Sequence, residues 1–392
     1  MVDMAQPHTG SGDGGRRAGP DPGTRPRKPG GERLTGVAGR YWHRLDDERL
    51  QCDLCPRFCK LRDGQRGLCF VRGRAGGQIL LTTYGRSSGF CIDPIEKKPL
   101  NHFLPGTSVL SFGTAGCNLA CKFCQNWDIS KSREFDRLQA RASPRAIAEV
   151  AVARGSRSVA FTYNDPVIFL EYAVDTARAC RERGIRTVAV TAGYITPKAR
   201  EEFFACMDAA NIDLKAFSER FYHKLCGGHL EPVLDTLKYL KNDTQVWFEI
   251  TCLLIPGEND SDAEIDAMSA WIRQELGPDV PLHLTAFHPD WKLRNRPRTP
   301  ISTLRRAREI ARGNGLRYVY TGNVLDPKGA STACHRCGQT LVGRTGYDLT
   351  GWRLDVADGA ACCSRCRTPL PGLFDERPGR WGSRREAVHV RH

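Results

Sequence analysis

The chain has 392 residues, of which 40% are hydrophobic and 26% are charged, and its formal net charge is +14. A chain of this length is not a small scaffold held together only by cysteines, and it favours one large domain with smaller appendages. No apolar run approaches the roughly 18 residues that span a bilayer, and residues 1–40 lack the apolar stretch of a secretory signal, so we expect a cytoplasmic protein without a membrane span.

The first 107 residues divide into two parts. Residues 1–38 are rich in Gly, Pro and Arg with almost no large apolar side chains, which predicts a disordered tail. Residues 39–107 are predicted to form a cysteine-rich cap around Cys52, Cys55, Cys59 and Cys69. Because disulfides rarely persist in a reducing compartment, these cysteines indicate metal binding. Four thiolates suit either Zn²⁺ or an auxiliary iron–sulfur cluster that relays electrons, and the sequence leaves that choice open.

Residues 108–327 alternate short apolar strands with amphipathic helices. The predicted strands are 109–113, 158–163, 186–191, 212–216, 246–251 and 282–287, with a shorter one at 318–320. The predicted helices include 144–154, 167–183, 197–207, 261–276 and 301–314. About six βα units result, which predicts the α/β class with a parallel sheet or barrel.

A CxxxCxxC motif follows the first predicted barrel strand. Cys117, Cys121 and Cys124 can hold three corners of a [4Fe-4S] cluster and leave the fourth iron open for chemistry. Three cysteines packed on one helix, or a three-thiolate zinc site, are the alternatives. The Gly residues before the motif and Asn118 disfavour an early helix, so the sequence favours the cluster.

This motif, from Gly113 to Trp127, resembles the radical S-adenosylmethionine superfamily, near the glycyl-radical-enzyme activases. Together with the N-terminal cysteines, the segment from Asp93 to Leu100 and the paired C-terminal cysteines, it is similar to the radical enzymes of the AmmeMemoRadiSam system. The resemblance implies a partial (β/α)6 barrel. It also implies a [4Fe-4S] cluster that cleaves S-adenosylmethionine to a 5'-deoxyadenosyl radical, which abstracts hydrogen from a substrate.

Polar residues follow several predicted barrel strands, where the active site of such a barrel gathers. The candidate cofactor-binding residues are Asn164, Asp165, Thr191, Asp213, Lys215 and His288. The resemblance implies that Asp165 lies near the methionine amine and that Asp213 and Lys215 meet the carboxylate and ribose. An internal Asp213–Lys215 ion pair and a hydrogen-bonded loop histidine are the alternatives.

Residues 328–375 carry a second cysteine framework and are predicted to form a zinc-ribbon-like module. Cys334, Cys337, Cys363 and Cys366 form two CxxC pairs that suit a closed structural Zn²⁺ site, with a rubredoxin-like iron as the alternative. Residues 376–392 are predicted to be a basic tail.

The expected function is that of a radical S-adenosylmethionine enzyme with an unknown substrate, which activates or modifies a protein. No membrane partner is expected. Expected partners are an electron donor such as flavodoxin or ferredoxin and the Memo-like and associated proteins of the AmmeMemoRadiSam system. Two alternatives are a glycyl-radical-enzyme activase and, outside this class, a zinc-ribbon protein that binds nucleic acid. The positive charge suggests the latter, but it is scattered without an aromatic platform.

Overall fold

The computed structural model describes residues 34–131 and 140–390. Most of the predicted disordered tail, residues 1–33, lies outside the described residues. Within the described ranges, no helix has both the length and the apolar character needed to cross a membrane.

A sheet of nine strands forms the centre of the described structure. We number these strands in chain order: β1 (Phe90–Pro94), β2 (Ser108–Phe112), β3 (Ser158–Phe161), β4 (Arg186–Thr191), β5 (Ala209–Asp213), β6 (Trp247–Leu254), β7 (Leu282–Ala286), β8 (Val319–Gly322) and β9 (Glu386–Val388). The seven strands β2 to β8 are parallel and lie side by side in chain order. β1 pairs antiparallel with β2, and β9 pairs antiparallel with the outer edge of β1. Because β2 and β8 are not paired, the parallel strands form a partial barrel, as predicted.

Six long helices connect these strands. They are α1 (Pro144–Ala153), α2 (Leu170–Arg181), α3 (Pro197–Ala205), α4 (Glu231–Asp243), α5 (Asp262–Trp271) and α6 (Ile301–Gly313). Proline in the first turn or a serine cap starts several of them; the Ser143 side chain, for example, accepts a hydrogen bond from the Ala146 amide. The helix α4 is an addition to those that the sequence predicted.

Shorter helices and small strands make up the rest. The short helical segments are Ile95–Lys97, Trp127–Ser130, Pro166–Phe169, Glu219–Phe221, Tyr222–Cys226, Ile272–Leu276 and Pro327–Ala330. The small strands of the N-terminal part are Val37–Ala38, Trp42–Arg44, Leu50–Cys52, Cys59–Leu61, Arg72–Ala75, Gln78–Leu81 and Arg86–Ser87, the last of which pairs with Ala140–Arg141. Those of the C-terminal part are Thr332–Ala333, Thr340–Thr345, Asp348–Trp352, Leu354–Ala357, Ala360–Cys363 and Pro369–Leu370.

The predicted strand at 212–216 begins three residues too late. The strand is Ala209–Asp213, because Ala209 and Ala210 are small enough to be fully buried between the neighbouring strands. The amide of Asn211, which interrupts the apolar pattern, is satisfied by donating to the Pro99 carbonyl at 2.9 Å. The correction places Asp213 at the end of β5 and Lys215 in the loop that follows it.

Buried arginines attach both flanking parts to the barrel. Arg72 of the N-terminal part is 1% exposed and pairs with Glu171 of α2, with Nη1 and Oε2 2.8 Å apart. Arg344 of the C-terminal module, also 1% exposed, donates to the Asn101 carbonyl at 2.8 Å. Arg344 also lies 3.7 Å from the Glu96 carboxylate. Removing one partner of a buried ion pair typically costs about 3–5 kcal/mol, so these contacts fix the N-terminal part to α2 and the C-terminal module to the segment between β1 and β2. The strand β9 lies within the segment predicted to be a basic tail and pairs with β1.

Candidate active site

The loop that carries Cys117, Cys121 and Cys124 leaves the end of β2 and is held from two sides. On one side, the Asn164 side chain accepts from the Thr114 amide at 3.0 Å and donates to the Gly116 carbonyl at 2.9 Å. On the other side, the Ala120 amide donates to the Cys226 carbonyl at 2.8 Å. The amide of Asn164, predicted to bind the cofactor, is thus occupied in holding this loop.

Gly116 gives the loop its shape. Its φ is +81°, a conformation that residues with a side chain rarely adopt. A Cβ built on it would lie 1.9 Å from the Cys69 carbonyl oxygen, so only glycine allows the loop to approach the N-terminal part this closely.

The three cysteines of the loop are buried or half-buried and differ in their electrostatic surroundings. Burial raises the pKa of Cys117 to about 11, and the nearby Asp165 adds to the rise. A hydrogen bond from Cys226 lowers the pKa of Cys121, and Lys215 acts in the same direction. The thiol of Cys226, from the segment Tyr222–Cys226, therefore belongs to the surroundings of the loop, which the sequence did not indicate.

The loop opens onto a cavity of about 380 Å³ inside the partial barrel. All three loop cysteines line the cavity, and so do five of the six predicted cofactor-binding residues: Asn164, Asp165, Thr191, Asp213 and Lys215. The sixth, His288, is not among the lining residues. Its side chain is 54% exposed, and its Nδ1 pairs with Nε2 of Gln125 at 2.9 Å.

The Asp165 carboxylate has three protein donors. It accepts hydrogen bonds from the Thr191 hydroxyl at 2.8 Å and from the amides of Ala192 and Val167 at 3.1 Å each. Burial raises the pKa of Asp165, while these donors oppose the rise. Asp165 and Thr191 therefore bind each other and tie the ends of β3 and β4 together at the edge of the cavity.

Asp213 and Lys215 form an ion pair that faces the cavity, with Nζ and Oδ2 2.9 Å apart. Burial alone would lower the pKa of Lys215, but Asp213 and the thiol of Cys121 raise it well above its usual value. Lys215 is therefore a charged donor at the cavity surface. The structure places both predicted residues together beside the loop cysteines.

The lining residues suit the cluster and the S-adenosylmethionine that the sequence resemblance implies. Thr251 lines the cavity, and its Oγ1 atom is buried and has no hydrogen-bond partner within the described residues. A buried hydroxyl without a partner costs free energy, so a polar ligand group at this point would be stabilising. Three thiols, a charged ammonium and this hydroxyl thus provide donors for a metal cluster and a polar cofactor.

Four further lining residues of the cavity were not singled out from the sequence as site residues. We call this surface the lysine wall: Lys97, Lys98, Tyr163 and Tyr347. Asp93 lies buried behind it. Asp93 is fully buried and receives hydrogen bonds from Lys98 at 2.7 Å, from Lys97 at 2.9 Å and from the Tyr163 hydroxyl at 2.9 Å. Burial alone would raise the pKa of Asp93, but the two lysines hold it well below its usual range. Burial lowers the pKa of Lys98 to about 8.

The accessory cysteines lie in two separate places. Cys334, Cys337, Cys363 and Cys366 come together in the C-terminal module with all four sulfurs within 4.8 Å of one another, which fits the predicted zinc-ribbon-like module. The other set, in the N-terminal part, consists of Cys52, Cys55, Cys59 and Cys69. It lies next to the loop of Cys117, Cys121 and Cys124, which we call the cluster loop. No other group of three or more possible ligands within the described ranges is as compact as the C-terminal one.

Comparisons with known proteins show the family of the chain. The model of the Radical SAM superfamily matches residues 112–268, which include the cluster loop and β3 to β6. The uncharacterized protein MJ0808 of Methanocaldococcus jannaschii is 40% identical over 316 residues, which cover 81% of this chain and 94% of that protein. The chain therefore belongs to the radical S-adenosylmethionine superfamily.

Within the superfamily, the chain is related to the pyruvate formate-lyase activating enzymes. The pyruvate formate-lyase 1-activating enzyme of Escherichia coli K12 is 25% identical over 190 residues, 47% of this chain and 75% of that enzyme. A solved domain of the pyruvate-formate lyase-activating enzyme from Bacteroides vulgatus is 19% identical, with a TM-score of 0.38, and the match covers 42% of this chain and 99% of that domain.

Proposed function

We propose that this radical S-adenosylmethionine enzyme binds a [4Fe-4S] cluster on Cys117, Cys121 and Cys124 and reductively cleaves S-adenosylmethionine to begin hydrogen abstraction from a second substrate. The observation that carries the proposal is the loop of three cysteines, which opens onto a cavity with a charged lysine and an unpartnered buried hydroxyl. When bound, the cluster supplies an open iron and the electron for the cleavage.

The side chains around the cavity have distinct roles in this proposal. Asn164 holds the cluster loop, and Asp165 with Thr191 fixes the strand ends beside it. Lys215 is placed to bind the carboxylate of S-adenosylmethionine by a charge-assisted hydrogen bond, and Thr251 offers a second polar contact. The cavity inside the partial barrel would hold the bound cofactor beside these side chains.

The lysine wall supports a substrate that carries an acidic group. Lys97 and Lys98 present two ammonium groups against the single carboxylate of Asp93, and the side chain of Lys97 is 30% exposed. Each ammonium has three donors, so donors remain for an anion from the substrate.

The related activating enzymes act, by their names, on pyruvate formate-lyase and 4-hydroxyphenylacetate decarboxylase. These names support a protein substrate and, as a second candidate, activation of a glycyl-radical enzyme.

The proposal includes the expected partners. The N-terminal cysteines, the segment from Asp93 to Leu100 and the paired C-terminal cysteines resemble the AmmeMemoRadiSam radical enzymes, which supports a function with Memo-like and associated proteins. A flavodoxin or ferredoxin would donate electrons in the cytoplasm, and Zn²⁺ would occupy the C-terminal cysteine site.

Anaerobic reconstitution tests this function. The iron-loaded protein, incubated with a reductant and S-adenosylmethionine, should form 5'-deoxyadenosine and methionine, measured by liquid chromatography. Candidate partner proteins are then added one at a time, and a true substrate should raise the rate of 5'-deoxyadenosine formation. A fully iron-loaded protein that produces no 5'-deoxyadenosine under any of these conditions would contradict the proposed function.

A further inference from the structure

The proposed function does not use the four N-terminal cysteines. Cys52 and Cys59 are directly opposite each other in the hairpin formed by Leu50–Cys52 and Cys59–Leu61. Cys55 starts the turn between the two strands, since its carbonyl accepts from the Phe58 amide at 3.2 Å. Cys52, Cys55 and Cys69 are each less than a tenth exposed and belong to the main core cluster.

The spacing of the sulfurs distinguishes this set from the C-terminal one. In the C-terminal module the sulfurs of Cys334 and Cys366 are 3.6 Å apart, and those of Cys337 and Cys363 are 3.7 Å apart. Zinc–sulfur bonds of about 2.3 Å in a tetrahedron require sulfurs roughly 3.8 Å apart, so that module has the geometry of a single metal ion.

The N-terminal set is more open. Among the described residues, no three of its four sulfurs lie within 4.8 Å of one another, and the same is true of the three cluster-loop cysteines. Wider spacing suits a polynuclear iron–sulfur cluster, because each cysteine then binds a different iron or a different corner of the cluster. Within the described residues, the buried Nε of Arg72 has no hydrogen-bond partner, and the guanidinium charge acts on the thiols of Cys52 and Cys69. It is a donor available to cluster sulfur.

This cysteine set lies directly against the cluster loop. The backbone of Cys69 contacts Gly116, where a Cβ would be 1.9 Å from the Cys69 carbonyl oxygen. Arg57, between the cysteines of the turn, donates from Nε to the Asn118 carbonyl at 2.7 Å. Cys69 and Cys117 also line one small cavity of about 290 Å³. The two cysteine sets therefore meet at a shared surface.

We propose that Cys52, Cys55, Cys59 and Cys69 bind an auxiliary iron–sulfur cluster that passes electrons to the cluster on Cys117, Cys121 and Cys124. The transfer rests on the proposed function. The auxiliary cluster accepts one electron from a reduced flavodoxin-type or ferredoxin-type carrier, which is oxidised by one electron. It returns to its starting state when it passes that electron to the loop cluster, and no proton or bond changes in the transfer.

Metal analysis of the full chain tests the identity of the site. A variant with Cys117→Ala, Cys121→Ala and Cys124→Ala should keep iron and acid-labile sulfide in equal amounts and should show an electron paramagnetic resonance (EPR) signal after dithionite reduction. Adding Cys55→Ala and Cys59→Ala should remove the sulfide and the signal, whereas adding Cys180→Ala, which changes a buried cysteine of α2, should leave both. If the triple variant contains only zinc and no sulfide, the assignment is wrong.

The unmodified protein tests the electron transfer without any risk of misfolding. When it is mixed with reduced flavodoxin and frozen at successive times, the EPR signal defined by the triple variant should appear before the signal that shifts on addition of S-adenosylmethionine. Appearance of the S-adenosylmethionine-sensitive signal first would overturn the transfer. Such a result would leave the proposed function intact, because that function depends on 5'-deoxyadenosine formation.

Discussion

Replacing Lys215 by alanine separates cofactor binding from folding. The side chain is 16% exposed, lines the cavity and has Asp213 as its one polar side-chain partner within the described residues. Two of its three ammonium donors are therefore available to a ligand. A hydrogen bond to a charged group contributes about 1.5 to 3 kcal/mol, so Lys215→Ala should raise the dissociation constant for S-adenosylmethionine roughly tenfold to a hundredfold.

The effect on stability should be much smaller. The Asp213 side chain is 35% exposed and can be solvated when its partner is lost, so the free energy of unfolding should fall by about 1 kcal/mol or less. The assay is a titration of anaerobically reconstituted protein with S-adenosylmethionine, together with iron content and a denaturation curve. Lys238→Ala is the matched control, since Lys238 pairs with Asp235 at 3.4 Å on α4 and does not line the cavity. Equal dissociation constants for the Lys215→Ala and unmodified proteins, at equal iron content, would refute the reasoning.

Four other predictions use different parts of the structure. Cys117→Ala should abolish 5'-deoxyadenosine formation, and undiminished formation would exclude it as a cluster ligand. Cys337→Ser should release one metal ion and lower the melting temperature, as measured by metal analysis and calorimetry. Gly116→Ala should lower iron content and cost at least about 1 kcal/mol of stability more than Gly155→Ala, because Gly155 also has positive φ but nothing within 4 Å of a Cβ. Burial lowers the pKa of His102 to about 4, so the unfolded chain binds more protons below pH 6.5 and the free energy of unfolding should fall by roughly 2 kcal/mol from pH 7 to pH 5. Urea denaturation of the unmodified and His102→Gln proteins checks this, and an equal pH dependence in both would contradict it.

The predictions that succeeded from sequence are those based on local patterns. Strand and helix alternation is repeated often enough along the chain to predict the parallel sheet, and the two C-terminal CxxC pairs form a compact site because each pair lies in one tight turn. The shifted strand β5 shows the limit of the method. In the sequence, the polar Asn211 indicates the boundary of an apolar strand. In the structure it lies within β5, because its side-chain amide donates a hydrogen bond to the distant Pro99 carbonyl.

The roles of individual polar residues depend on contacts that are far apart in sequence. Asn164 is occupied by the loop around Gly116, 48 positions earlier, so its motif alone could not distinguish a cofactor contact from a structural one. The lysine wall could not be predicted for the same reason. Lys98 lies between β1 and β2, whereas Tyr347 lies in the C-terminal module, and neither follows the end of a parallel strand.

The carboxylate behind the lysine wall also depends on a late segment of the chain. Arg385, just before β9, lies 3.3 Å from the Cys91 sulfur and 3.7 Å from the Asp93 carboxylate. During synthesis, the cluster loop and β2 to β8 therefore exist well before the sheet edge beside Asp93 is covered. Until β9 docks, β1 has one unpaired edge and the Asp93 carboxylate lacks the nearby charge of Arg385, so a chain at that stage exposes a sheet edge that can pair with another chain.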